Sequence, residues 1–131
     1  MKLYAPKTYW EATEEERNAV CNGCGAKGGM NVPDTMYFLC VTQACNVHDW
    51  MWKEGKTFAD FLFSNAVFIM NLVILITSYG SKWLAPLRLA RATEYFLAVQ
   101  TLGEENYWVD GKVKNDEMNI TYVGEFRCVN L

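Results

Sequence analysis

Ala44-Cys45-Asn46-Val47-His48-Asp49-Trp50-Met51-Trp52 is the stretch on which the reading of this chain turns. In a helix, steps of three and four residues bring side chains together, so Cys45, His48, Asp49 and Trp52 share one face. His48 is the only histidine in the chain. A lone histidine is more often a satisfied structural residue than a catalyst, but an adjacent aspartate makes it a candidate base. Upstream lies Cys21-Asn22-Gly23-Cys24-Gly25-Ala26-Lys27-Gly28-Gly29, a glycine-rich loop able to turn its carbonyl groups inward on a ligand.

Outward from these two segments the chain reads as helical. Thr13-Glu14-Glu15-Glu16 is a capping box opening a short helix to about Val20, and the glycines that follow forbid regular structure until Pro33. Asp34 is expected to cap the helix that carries His48, which runs to about Glu54 with Gly55 in the left-handed stop position. Thr57-Phe58-Ala59-Asp60 opens a third helix reaching about Tyr79, where Gly80 ends it. Pro86 suits the first turn of a fourth, Ala85 to Leu102, closed by Gly103. Leu87, Ala90, Tyr95, Ala98 and Leu102 suggest its buried stripe.

After Gly103 the character changes. Tyr107-Trp108-Val109, Asp110-Gly111 and Lys112-Val113-Lys114 have the signature of a β-hairpin with a type I′ turn. Ile120–Val123 and Phe126–Val129 could add strands. The expectation is a mainly α single domain, 1–131, with a helical core at 1–103 and a small β appendage at 104–131.

Composition narrows the function. The 131 residues suit one domain, and half of them are hydrophobic, enough to bury a core. Twelve basic against fifteen acidic residues give −3. No clustered basic face is present for nucleic acid. The start, Met1 to Trp10, lacks the apolar run of a secretory signal, which points to the cytoplasm and to reduced thiols. Phe61 to Ile76 has thirteen apolar residues in sixteen. That is short of the roughly 20 needed to span a bilayer, and Ser64, Asn65 and Asn71 interrupt it, so it reads as a buried central helix. Most aromatic residues read as core. Trp50, on the far side of the helix from His48, is the candidate for exposure and for peripheral membrane contact.

Together the loop Asn22-Gly23-Cys24-Gly25 and the helix Cys45-Asn46-Val47-His48-Asp49 resemble the phospholipase A2 superfamily, whose members carry a glycine-rich calcium loop and a Cys-x-x-His-Asp helix. Gly55-Lys56-Thr57 and the Phe68/Asn71 helix are similar to short phospholipase A2-like proteins of bacteria and their phages. The resemblance covers about Cys21 to Gly103. It implies two long antiparallel helices, with calcium held by the carbonyl groups of Gly23, Gly25 and Lys27 and by the Asp49 carboxylate. It implies His48 as general base, the Gly25 amide as an oxyanion donor, and a Cys24–Cys45 disulfide. The substrate would be a phospholipid or other acyl ester, and a phage protein would act in the host-cell cytoplasm.

Two positions depart from the family. Where the family has a tyrosine one turn beyond the histidine, this chain has Trp52. Opposite His48 the aligned residue is Asn65 in place of aspartate. Asn65 can accept a hydrogen bond but cannot stabilise imidazolium by charge. In an unrelated hydrolase the same exchange beside the base lowers turnover by about 10⁴. Asp60 could take that role only in a different helix register. These changes motivate an alternative from another class: a catalytically degenerate scaffold serving as a small acidic protein-binding module, such as a phage-encoded inhibitor of a host factor.

Zinc is the competing metal, through Cys21, Cys24 and Cys45 with Cys40 as a fourth thiolate, or with His48 or Asp49 in place of one. On a helix, however, Cys40 and Cys45 would point about 140° apart. Cys21, Cys40 and Cys128 read otherwise as small buried hydrophobes.

Overall fold

The computed structural model describes residues 1–25, 32–109, 112–122 and 125–131. Strand β1 (Lys2–Pro6) leads into helices α1 (Lys7–Glu11) and α2 (Glu14–Val20). Short strands β2 (Thr35–Met36) and β3 (Leu39–Cys40) precede α3 (Thr42–Glu54) and α4 (Phe58–Ile74), and α4 continues as a π-helical segment, Leu75–Tyr79. Helices α5 (Ala85–Leu102) and α6 (Glu104–Tyr107) and strand β4 (Phe126–Asn130) complete the order. The chain is thus mostly helical, with small antiparallel two-stranded sheets.

The local start signals act as read. Thr13 and Glu16 form the capping box of α2, and Thr57 and Asp60 that of α4. Asp60 is fully buried and accepts from the amides of Lys56, Thr57 and Thr121 and from the Thr121 hydroxyl. Burial works to raise its pKa, but these hydrogen bonds outweigh it and hold the carboxyl below the usual range. Its oxygens are committed to the cap, so Asp60 is not the partner of His48. Pro86 lies in the first turn of α5, within the expected bounds.

Elsewhere tertiary contacts override the local reading. Asp34 does not begin a helix. A hairpin occupies Thr35–Cys40, its turn carried by Tyr37 and Phe38 at φ +44° and +71°, and α3 starts only at Thr42. The Arg88 guanidinium donates to the carbonyls of Met36 and Tyr37, and the Tyr95 hydroxyl to that of Pro33. These donors from α5 take carbonyls that a helix would need for itself. Gly55 is not left-handed but extended, at φ −57° and ψ 144°. Its glycine answers a close approach instead: a Cβ there would lie 2.4 Å from the Tyr107 hydroxyl. The last five residues of the third helix are π-helical where a regular α-helix was expected, and the Thr77 hydroxyl there bonds the Val73 carbonyl.

The buried stripe of α5 is Arg88, Ala92 and Tyr95, while Leu87 and Leu102 are 51% and 64% exposed. Tyr95 lies on the buried face as expected, but the helix is turned by about one residue, roughly 100°, from the rest of the expected stripe, because Arg88 reaches inward to backbone oxygens.

The tail also differs. No strand occurs at Tyr107–Val109 or Lys112–Lys114. Tyr107 ends α6, Thr121 and Tyr122 form a turn, and Asp110, Gly111 and Val123 lie outside the described residues. The strand at the C-terminal end pairs antiparallel with β1, from Lys2↔Asn130 to Pro6↔Phe126. Tyr107 and Tyr122 are buried, their hydroxyls bonded to the carbonyls of Thr57 and Met51 at 2.8 and 2.6 Å. Tyr107 and Tyr122 thus anchor the segment after Gly103 to the core.

Helix α4 is the central element. Phe68 and Leu72 enter one buried cluster with Leu3, Cys45 and Tyr95, and Val67 enters another with Tyr9, Val47 and Met51. Phe58–Tyr79 is long and apolar enough to cross a membrane, but Asp60, Ser64, Asn65 and Asn71 within it are buried in the protein. Asn71 clamps β1 by donating to the Tyr4 carbonyl and accepting from the Tyr4 amide, both at 2.8 Å. Helices α3 and α4 run antiparallel, as Trp52 meets Phe61 and His48 meets Phe68.

Candidate active site

The α3–α4 pairing carries His48 inward, where it is 5% exposed. Its Nε2 lies 2.8 Å from Asn65 Oδ1, and Trp52 Nε1 donates to the same oxygen at 3.2 Å. Asn65 Nδ2 donates in turn to Gln100 Oε1 on α5 at 2.9 Å. The imidazole sits against Trp52 and Phe68, with ring centroids 4.5 and 4.6 Å away. Burial lowers its pKa from 6.5 to about 4, against the opposing effect of the Asn65 hydrogen bond. At pH 7 it is neutral and able to accept a proton.

The glycine loop folds against the same helix. Gly23 is buried at φ +76°, and a Cβ there would meet Asp34 Oδ2 at 2.5 Å. Side chains flanking the loop bond its amides. Asn22 N donates to Asp49 Oδ2, Gly23 N to Asn46 Oδ1 and Cys24 N to Asp34 Oδ1, each at 3.0 Å. Asp34 Oδ2 accepts from the Thr42 hydroxyl at 2.8 Å, so this aspartate ties the loop to the start of α3. A disulfide joins Cys24 to Cys45, with Cα atoms 4.9 Å apart. The pair that the resemblance implied is present, and the expectation of reduced thiols fails for it.

Gly23, Gly25, His48 and Asp49 thus line one cleft, open to solvent and lined also by Phe68 and Val99. A second, wider cleft adjoins it across Asp49, Trp52 and Asn106, and carries Lys53, Lys56 and Lys112 on its walls. Lys27 lies outside the described residues.

Among the described residues no three His, Cys, Asp or Glu side chains gather as a metal group. An ion in this cleft would draw on the Asp49 carboxylate and on backbone oxygens of the loop. Such a donor set is hard and suits calcium. The zinc set is overturned: Cys24 and Cys45 are spent in the disulfide, and Cys40 is exposed, bonded to the Thr42 hydroxyl. The Cys21 thiol is pushed up to about 12 by burial first and by the Asp49 charge second, against Arg17, and it donates to the Asn46 carbonyl. It is a poor thiolate ligand at neutral pH. Cys40 and Cys128 are exposed and not the buried hydrophobes expected. Trp50 is half-buried, its indole donating to Thr8 and its ring packed edge-on to Tyr9.

Three site residues escaped the reading of the sequence. Asn46 sits between Cys45 and His48 and could have been suspected from that position. Asp34 was assigned to a helix cap, and Gln100 gave no local signal on α5. No protein-family model, curated protein or solved structure matches this chain.

Proposed function

We propose that the chain is a calcium-dependent acyl-ester hydrolase of the phospholipase A2 type, acting on a phospholipid or a related ester. One observation carries the reading: the only histidine, Asp49 and the glycine loop converge on a single cleft whose opposite wall is apolar. His48 takes a proton from the water that attacks the ester carbonyl. Asp49 and the carbonyl groups of Gly23 and Gly25 would hold the ion, with the Lys27 carbonyl as the further ligand the resemblance implies, and the ion would supply positive charge for the oxyanion. The Gly25 amide donates to the same oxygen. Phe68 and Val99 seat the acyl chain, and the adjoining cleft takes the polar part of the substrate.

A second reading rests on the state of His48. Buried beside a neutral acceptor, with its pKa near 4, it is a weak base, and an imidazolium formed there has no carboxylate partner. This favours slow turnover, or a scaffold that binds a host protein and no longer hydrolyses. Acyl release from mixed liposomes, with calcium and with EDTA, separates the two. The hydrolase reading expects calcium-dependent release by wild type and none by His48→Gln, whereas equal background rates would leave only the binding module. Calorimetry of EDTA-stripped protein titrated with calcium tests the loop without a choice of substrate.

A further inference from the structure

We infer that Trp52 and Gln100 are positioning residues: they fix which end of the Asn65 amide faces His48, and so hold the imidazole protonated on Nε2 with Nδ1 free to act. The inference deepens the hydrolase reading and rests on it only for what Nδ1 then does.

A carboxylate opposite the histidine has two equivalent oxygens and needs no orientation. An amide accepts at one end and donates at the other. The Asn65 side chain is wholly buried, so solvent cannot absorb a wrong choice. The indole nitrogen of Trp52 can only donate, and it approaches the same atom of Asn65 as His48 does. That atom must therefore be Oδ1; a flipped amide would set an NH₂ group against the Trp52 N–H. Gln100 Oε1 accepts from the other end at 2.9 Å, and turning the Asn65 amide over would require the Gln100 amide to turn over with it. With Oδ1 fixed, the shared hydrogen has to reside on His48 Nε2. Among the described residues Nδ1 makes no hydrogen bond. Trp52 is itself held in place, for its Cη2 lies 2.4 Å from where a Cβ on Gly103 would stand.

Because His48 is the only histidine, the ¹⁵N spectrum of the labelled full-length chain at pH 7.5 reads the tautomer of one ring. Wild type should show Nε2 protonated and Nδ1 unprotonated. Trp52→Phe and Gln100→Leu should each lower the ratio of this form to the other by roughly fivefold, the value of one hydrogen bond. Gln100→Glu retains an acceptor and should keep the wild-type ratio. In an Asn65→Asp background, where either oxygen serves, Gln100→Leu should have no effect on the ratio. Unchanged ratios in Trp52→Phe and Gln100→Leu, or an equal shift when Asn65 is replaced by Asp, would overturn the inference. In the hydrolase the same single variants should lower kcat with KM nearly constant. Absence of hydrolysis by wild type defeats the hydrolase reading and leaves the tautomer result standing on its own.

Discussion

Acidification should destabilise this protein through His48 by up to about 3 kcal/mol. The unfolded imidazole takes up its proton near 6.5 and the folded one only near 4, chiefly because burial disfavours the cation, the Asn65 hydrogen bond offsetting part of this. Between those values the unfolded state binds more protons, so stability present above about pH 6.5 is lost as the pH falls toward 4. At about 1.4 kcal/mol per pH unit, that gap gives the figure above. Asp60 acts in the same direction, since its carboxyl is held below the usual range and its contribution disappears as the pH falls through the folded pKa. A single pH series would mix the two groups. Urea unfolding of wild type and His48→Gln in EDTA, over pH 7.5 to 4, separates them because Asp60 is common to both chains. The stability difference between the two proteins should swing by about 3 kcal/mol across the series, the variant gaining on wild type as acid is added. A difference independent of pH would refute the burial argument for His48.

Replacing Cys24 and Cys45 together by serine opens a loop with a sequence separation of 21, and chain entropy alone then costs about 3 kcal/mol, read from the urea midpoint. Calcium affinity measured by calorimetry should fall in the same variant, because the disulfide pins the loop to α3. Gly103→Ala drives a methyl group into Trp52 and the Val99 carbonyl, both 2.4 Å from its Cβ, and should cost about 1–3 kcal/mol with an altered tryptophan emission spectrum. Tyr122→Phe removes the bond to the Met51 carbonyl and should lower stability by about 1 kcal/mol in the same assay. Full stability in that variant would refute a contribution from this bond.

What could be read from the sequence was local chemistry. Thr13 with Glu16 and Thr57 with Asp60 close their capping boxes within three residues, so no distant contact can change their meaning. The helix bearing Cys45, His48 and Asp49 and the loop before it were legible for the same reason. Asp34 resembled a cap, yet its oxygens serve Cys24 and Thr42 while Arg88, some fifty residues away, holds the carbonyls that follow. The buried face of α5 was misplaced because Arg88 counts as polar in any hydrophobic pattern. The β1–β4 pairing joins the two ends of the chain, and nothing within either strand names the other. At the site, Asn65 was placed correctly opposite His48, whereas Gln100 became visible only once α5 was set against α4.

The neutral set at this site has a physical logic that binds stability to function. A carboxylate at position 65 would be a buried charge beside a mostly neutral imidazole, with one indole N–H as its other donor, and an ill-compensated buried charge costs several kcal/mol. The amide avoids that cost and asks only for an acceptor at its far end, which Gln100 provides. The consequence falls on His48. An oxygen dipole opposes the effect of burial only partly, so the pKa settles near 4, where a neighbouring negative charge would have raised it. Folding stability at neutral pH and strength of the base are thus opposed at a single position. Trp52, Asn65 and Gln100 all stand on the side of stability. Under the proposed function this choice favours slow hydrolysis or binding without hydrolysis, at the cleft beside α3 to which the Cys24–Cys45 bond and the Asp34 carboxylate tie the loop.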